Sequence, residues 1–306
     1  MSLRILSSLF SIALVPVSTC LQPAIGQAAT SGNVQWGVIG RVFGQPGEAE
    51  GRYFRINLPR TDLHVRIGKD ELSPDFEFKS YVGFIPMGAQ RVMGMGEVVL
   101  RDDEVPAVLA EAHRQNIQVS AVHNHLIGET PRIIYVHVTG EGTPEALAKR
   151  LRAVYAASHT PLSEPKEEPA RGDWSAVDAV LGPHAEAEGS IAEYVFARNE
   201  HLTVRGMAIE STGMLESASE VVFEQLPGGR VANTGELFVL PQEVDPVLRA
   251  LDEHGLRVTA VHNHMVDESP RMYWIHWYTT GSAPTIARGV AAALAHMNSA
   301  RRSHKE

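Results

Sequence analysis

Laid over itself at an offset of 138 to 139 residues, the chain matches itself along most of its length. "GQPGEAEG" from Gly44 meets "GPHAEAEG" from Gly182, "RVMGMGEVVL" from Arg91 meets "RVANTGELFVL" from Arg230, and "EVPAVLAEA" from Glu104 meets "EVDPVLRAL" from Glu243. The match is densest where "VSAVHNHLIGETPRIIYVH", from Val119, meets "VTAVHNHMVDESPRMYWIH", from Val258, with ten of nineteen positions identical. A repeat of this length that occurs only twice is a duplicated domain rather than a solenoid, so whatever one copy folds into, the other must fold into as well.

The repeats are read as 33–158 and 173–300, joined by the proline-containing linker 159–172, "HTPLSEPKEEPARG". Each copy reads as a short helix near Trp36 or Trp174, four strands, a helix from about Asp103 or Gln242, a histidine-bearing hairpin and a closing helix. The closing helices, near Pro144 to Ala157 and Pro284 to Met297, combine a Pro in the first turn with apolar residues at helical spacing. Strands outnumber helices and short turns join them, so the expected class is α+β (mixed α/β): two homologous tandem domains of mostly antiparallel sheet with packed helices. The acidic pairs Glu48/Glu50 and Glu186/Glu188 read as Gly-bounded loops.

Residues 1–28 read as a signal peptide, with Arg4 ahead of the apolar run Leu9 to Val17 and small residues at Gly26 and Ala28. Export, to a periplasmic or extracellular location, is therefore expected. "VSTC" also resembles a lipobox, in which case Cys20 would carry a lipid anchor; as the only cysteine it forms no internal disulfide. No later run is long and apolar enough to be read as a transmembrane segment. With 27 basic against 36 acidic side chains and no basic cluster, the chain is not a nucleic-acid binder by charge. A small-molecule ligand remains the expected kind of partner.

Side chains alternate across a strand, which places His123 and His125 on one face, with His137 on the matching face of the next strand. A hairpin turning about Thr130 would set His123 opposite His137 and His125 opposite Tyr135, and would gather three imidazoles in a facial arrangement that suits zinc or another divalent transition metal. The second copy repeats the set as His262, His264 and His276, with Trp274 in place of Tyr135. Glu129 and Arg132, repeated as Glu268 and Arg271, place a carboxylate and a guanidinium in each turn; with Tyr135 they are the candidate catalytic residues. The competing reading is a hydrogen-bonded structural cluster. Glu97 and Glu236 are weaker acid–base candidates, read chiefly as exposed sheet residues, and Asn124 and Asn263 as supports behind the site. No phosphate-loop, nucleophile-elbow or H-E-x-x-H motif is present.

The H-N-H…E-x-P-R…H string, running in both copies, resembles the repeated domain of the LppY/LpqO-like secreted bacterial proteins, a family of unassigned function; the resemblance implies export and duplication. More distantly, an H-x-H with a third His on the next strand is similar to the zinc site of acetolactate decarboxylases and related zinc-dependent ester hydrolases. That likeness implies zinc on His123, His125 and His137, or on His262, His264 and His276, but no counterpart of those families' additional carboxylate ligands can be placed here. Two functions follow: an exported metal-dependent hydrolase or lyase acting on a small carboxylate or ester, or a non-catalytic envelope protein binding metal or a ligand. If the two trios act separately, the second, with Asp267 beside Glu268, is expected to hold a metal more tightly, and the first, with Tyr135 and Gly128, to host any chemistry.

Overall fold

The computed structural model describes residues 34–88, 90–166 and 168–301; the expected leader at 1–28, with Cys20, lies outside them. The first repeat runs α1 (Gly37–Phe43), β1 (Glu48–Glu50), β2 (Tyr53–Pro59), β3 (Val65–Ile67), β4 (Asp70–Leu72), α2 (Pro74–Glu77), β5 (Lys79–Pro86) and β6 (Val92–Arg101). It continues with α3 (Val105–Arg114), β7 (Gln118–His123), β8 (Glu129–Thr130), β9 (Ile133–Gly142) and α4 (Pro144–Tyr155). The second repeat has α5 (Ser175–Leu181), β10 (Glu186–Glu188), β11 (Ile191–Arg198), β12 (Leu202–Val204), β13 (Met207–Ile209), β14 (Ser219–Leu226) and β15 (Arg230–Val239). It ends with α6 (Val244–Glu253), β16 (Arg257–His262), β17 (Glu268–Ser269), β18 (Tyr273–Gly281), α7 (Ala283–Leu294) and β19 (Ser299–Arg301). Six strands, rather than the expected four, precede α3. The acidic pairs are strands and not loops, because Gly51 at φ 57 and Gly189 at φ 52 turn the chain tightly enough for Glu50 to pair with Tyr53 and Glu188 with Ile191.

Each repeat builds one large antiparallel sheet in the same order, β1-β2-β5-β6-β9-β7 and β10-β11-β14-β15-β18-β16, with β19 added beside β11. Small sheets β4-β3-β8 and β13-β12-β17 flank them. Alternation along β6 shows how the layers arise. Val92, Val98 and Leu100 join the cluster that packs under α1, α3 and α4, whereas Met93, Met95 and Val99 join clusters shared with the other repeat. One shared cluster sets Tyr53, Ile85 and Met93 against Leu202, Met214 and Trp274; the other sets Phe76, Val99 and Tyr135 against Val222, Leu226 and Ala232. The result is four layers, helices on sheet on sheet on helices, with the two sheets face to face.

Polar ties between the repeats reinforce this packing. Arg230 donates to Asp70 at 2.7 Å, the Ser73 N–H donates to both carboxylate oxygens of Glu224 at 3.1 Å, and the Glu210 N–H donates to the Tyr53 hydroxyl at 2.7 Å. The close approach also needs Gly83: a Cβ there would stand 2.2 Å from the Met214 carbonyl oxygen and 2.6 Å from Leu215 Cδ2. Gly83→Ala is expected to cost about 1–3 kcal/mol by forcing the sheets apart. A lowered urea midpoint with an unchanged slope would show it.

A buried ion cluster is duplicated too. Arg60 is fully buried and donates to Asp62 and Glu104, while Arg198 does the same with Glu200 and Glu243. These clusters hold the start of α3 and of α6 against the main sheets. Among the described residues, no helix is long and apolar enough to cross a membrane.

Candidate metal centre

The histidine strands pair differently from the expected hairpin. His123 lies opposite Tyr135 and Ala121 opposite His137, with a bulge between Val119 and Ala121; in the second copy His262 lies opposite Trp274 and Ala260 opposite His276, with a bulge between Val258 and Ala260. The turn does not close at Thr130 because β8 leaves the hairpin to pair with β3, Thr130 opposite Arg66. His125 and His264 therefore lie beyond the strand ends, in loops. The slip amounts to two residues, and an even slip keeps each side chain on its face. His123 and His137 still share the inner face.

Because the two sheets pack by those inner faces, the trios do not form separate centres. His123 meets His262 with ring centroids 3.8 Å apart, His125 meets His276 at 3.8 Å, and His137 meets His264 at 3.7 Å. The expectation of a tighter second site and a catalytic first one thus gives way to a single six-histidine cluster drawn from both repeats. Tyr135 stacks on His125 at 3.6 Å and Trp274 lies against His264 at 3.7 Å. These two rings belong to the two apolar clusters on either side, which seal the polar middle.

Carboxylates complete the cluster. Glu77 Oε1 is 2.8 Å from His125 Nδ1 and 3.5 Å from His276 Nδ1, and Glu97 Oε2 is 3.0 Å from His137 Nε2 and 3.4 Å from His125 Nε2. Glu97 and Glu236, read from sequence as exposed, are 4% and 8% exposed, because their strand faces the other sheet rather than water. They lie opposite His137 and His276 in the ladders. Beyond them a cavity of about 60 Å³ is lined by Arg55, Glu77, Glu97, Glu216, Glu220 and Glu236, among others. Arg55 donates to Asn57 Oδ1 and to the Gly213 carbonyl, and lies 3.8 Å over the Tyr81 ring.

Burial decides the protonation states. Together with the neighbouring His137 and His276 it brings His123 down to about 2, and together with His276 it brings His137 down to about 3. His125, His262 and His264 are likewise held well below the usual imidazole range, first by burial and then by the other imidazoles. Burial pushes the Glu97, Glu216 and Glu236 carboxyls well above the usual range, with repulsion from neighbouring carboxylates, Glu77 among them, adding to it. The cluster thus offers unprotonated imidazoles, which are ligands, beside carboxyls that lack enough positive charge.

Its atoms are also short of partners. Glu97 Oε2, His123 Nε2, His125 Nε2 and both ring nitrogens of His262 and His276 are buried without a hydrogen bond. Buried polar groups are nearly always satisfied, so this concentration calls for a missing partner. Four groups of donor atoms lie within 4.8 Å of one another: His123/His125/His262, His123/His137/His264, Glu77/His125/His276 and Glu97/His125/His137. Three of the four combine both repeats.

The other residues singled out in the sequence stand further back. Glu129 and Glu268 join none of these groups. Glu268 accepts from Asn263 at 2.8 Å and pairs with Arg271 at 3.1 Å, so it braces the His262–His264 segment through Asn263. Asn124 donates to the Leu126 carbonyl at 2.9 Å. Glu129 accepts from the Ile133 N–H at 3.4 Å, and Arg132 and Arg271 are exposed. The Tyr135 hydroxyl donates to the Glu77 carbonyl oxygen at 3.2 Å, so it is engaged with the backbone rather than turned to the centre. Glu77, Arg55, Glu216 and Glu220 were missed. The available signal was repetition, since Glu216 follows Glu77 at the repeat offset.

Comparison with known proteins adds family but no activity. A search among curated proteins gives no match. A solved structure, a trimeric bacterial microcompartment shell protein PduB, aligns over 82% of this chain and 89% of its own at 12% identity with a TM-score of 0.20, too slight a likeness to support any argument. The family described as a Domain of Unknown Function (DUF1259) matches residues 38–157 and again residues 175–296. The chain belongs to that family and carries its domain twice.

Proposed function

We propose that the protein binds zinc or another divalent transition metal at one composite centre, through His123, His125, His137, His262, His264 and His276 with Glu77 and Glu97. The observation that carries this reading is the set of buried nitrogens and carboxylate oxygens from both repeats that converge without hydrogen bonds. The donor chemistry fits: imidazole and carboxylate together suit zinc and its neighbours. The hydrogen bond from His125 Nδ1 to Glu77 is of the kind that orients a ligating imidazole.

On this reading the protein is an exported metal-dependent hydrolase or lyase, in line with its resemblance to LppY/LpqO-like proteins and to acetolactate decarboxylase-type sites. A bound metal would supply Lewis acidity toward a substrate carbonyl. Glu236, whose carboxyl is pushed well above the usual range by burial and by the neighbouring carboxylates, would hold a proton at the cavity wall. Six glutamates and Asp75 line that cavity with Arg55 and Lys79, and burial pushes the Glu97, Glu216, Glu220 and Glu236 carboxyls up, so the wall lacks the positive charge that would hold a free carboxylate and an ester is favoured. Glu129 and Glu268 would support the histidine loops, and Arg132 and Arg271 would meet a substrate only at the surface. A non-catalytic metal-binding role is the second reading, favoured by the depth of the centre: His276 is fully buried, and His125, His137 and His264 are at most 4% exposed.

Protein purified without a histidine tag is expected to retain close to stoichiometric metal in elemental analysis. Less than about 0.2 equivalents would sink the proposal. Adding zinc to the chelated protein at ~100 times its Kd should stabilise the fold by about 2.7 kcal/mol, read as a rise in Tm. Turnover of a panel of esters and lactones by the loaded protein would separate the two readings, and its absence would favour binding alone.

A further inference from the structure

We propose that the histidine cluster is built for two metal ions, with Glu97 bridging them; this rests on the metal-binding reading above. Two of the donor groups, Glu77/His125/His276 and His123/His137/His264, share no residue. Each takes side chains from both repeats, and one ion bound within either set would leave the other set's donors unused. Zinc in a protein is satisfied by about four ligands, whereas six histidines and two glutamates converge here.

Glu97 stands where a bridge is needed. Its Oε2 lies 3.4 Å from His125 Nε2, in the first set, and 3.0 Å from His137 Nε2, in the second. It makes no hydrogen bond to either, although it is 4% exposed. A carboxylate oxygen buried against ligands of both sets, with no proton donor, is placed to accept a cation from each side. Paired ions sharing ligands are typically about 3.5–4 Å apart. His262, grouped with His123 and His125, contacts a ring of each set, His276 and His123, with both of its own ring nitrogens unpaired.

The two sets are unequal, and the reason lies in how the repeats diverged. Glu77 enters the first set, but its repeat counterpart Glu216 enters neither. Glu216 is instead met by Arg55 and the Tyr81 hydroxyl. Both partners belong to the first repeat alone, since the offset places Glu193 and Glu220 at their counterparts. One ion would therefore have two imidazoles and a carboxylate, and the other three imidazoles.

The test is a titration of the chelated full-length protein with Co(II), counted by elemental analysis after desalting, and with Cu(II), followed by electron paramagnetic resonance. Wild type is expected to saturate at about two ions, the second Cu(II) broadening the signal of the first. Glu77→Gln should saturate at one, Glu216→Gln at two, and Glu97→Gln should lose the coupling between the ions. Circular dichroism and Tm in chelator would verify that each variant is folded, and His276→Ala, expected to bind one ion, substitutes for Glu77→Gln if that variant does not fold. Saturation of wild type at one ion would overturn the two-ion inference while leaving metal binding intact. No binding at all would overturn the underlying reading, and an unchanged Cu(II) coupling in Glu97→Gln would remove the bridge.

Discussion

The double variant His123→Ala/His125→Ala is expected to retain less than about 0.2 ion per chain, even though it leaves His262, His264 and His276 untouched. The physical reason is the facing of the sheets. Each of the four donor groups includes His123 or His125, so the two changes breach every one of them. The second repeat's trio has no comparable set of its own; its rings lie against those of the first repeat at 3.7 to 3.8 Å. Elemental analysis of untagged protein decides the matter. If about half the wild-type metal remains, each repeat binds by itself and the composite centre is wrong. The fold should survive, because the ring nitrogens removed include two that made no hydrogen bond, His123 Nε2 and His125 Nε2.

Stability should respond most to the buried ion cluster at Glu104. Burial alone would raise this carboxyl, but the backbone N–H groups of His159 and Arg101 and the side chains of Arg60 and His159 outweigh it and hold it down to about 2, from an ordinary 4.5. That depression corresponds to about 3 kcal/mol. The folded pKa lies below the unfolded one, so the contribution is fully present above pH about 4.5 and is lost as the pH falls toward 2. Glu104→Gln should therefore cost about 3 kcal/mol at pH 7 and flatten the acid side of the stability profile. Arg60→Ala should cost about 3–5 kcal/mol, because it strands a buried carboxylate. Urea midpoints between pH 7 and pH 3 test both, and an equally steep acid loss in Glu104→Gln would contradict the assignment.

Much of the architecture was legible in the chain. Duplication at an offset of 138 to 139 residues implied two like halves, and the periodicity of their segments implied antiparallel sheet with packed helices, which the sheet order bears out in both repeats. The six histidines were legible as two like trios because alternation keeps His123 and His137 on one face, and that survives a two-residue slip in register. The slip was not legible: it follows from the bulge between Val119 and Ala121 and from β8 pairing with β3, a strand some sixty residues earlier.

What the sequence determined by itself was the repeat, read by laying the chain over itself, and the class of fold and the two histidine trios, read from the alternation and spacing of nearby residues. Only the tertiary structure decided that the two trios form one cluster. His137 and His264 are 127 residues apart, and Glu77 is 48 residues from His125. Glu77 sits at the end of a four-residue helix with no periodicity to mark its direction, and the burial of Glu97 and Glu236 depends on what the sheet faces. Alternation tells which side chains share a face. Whether that face meets water or a second copy of itself is set by the packing of whole sheets.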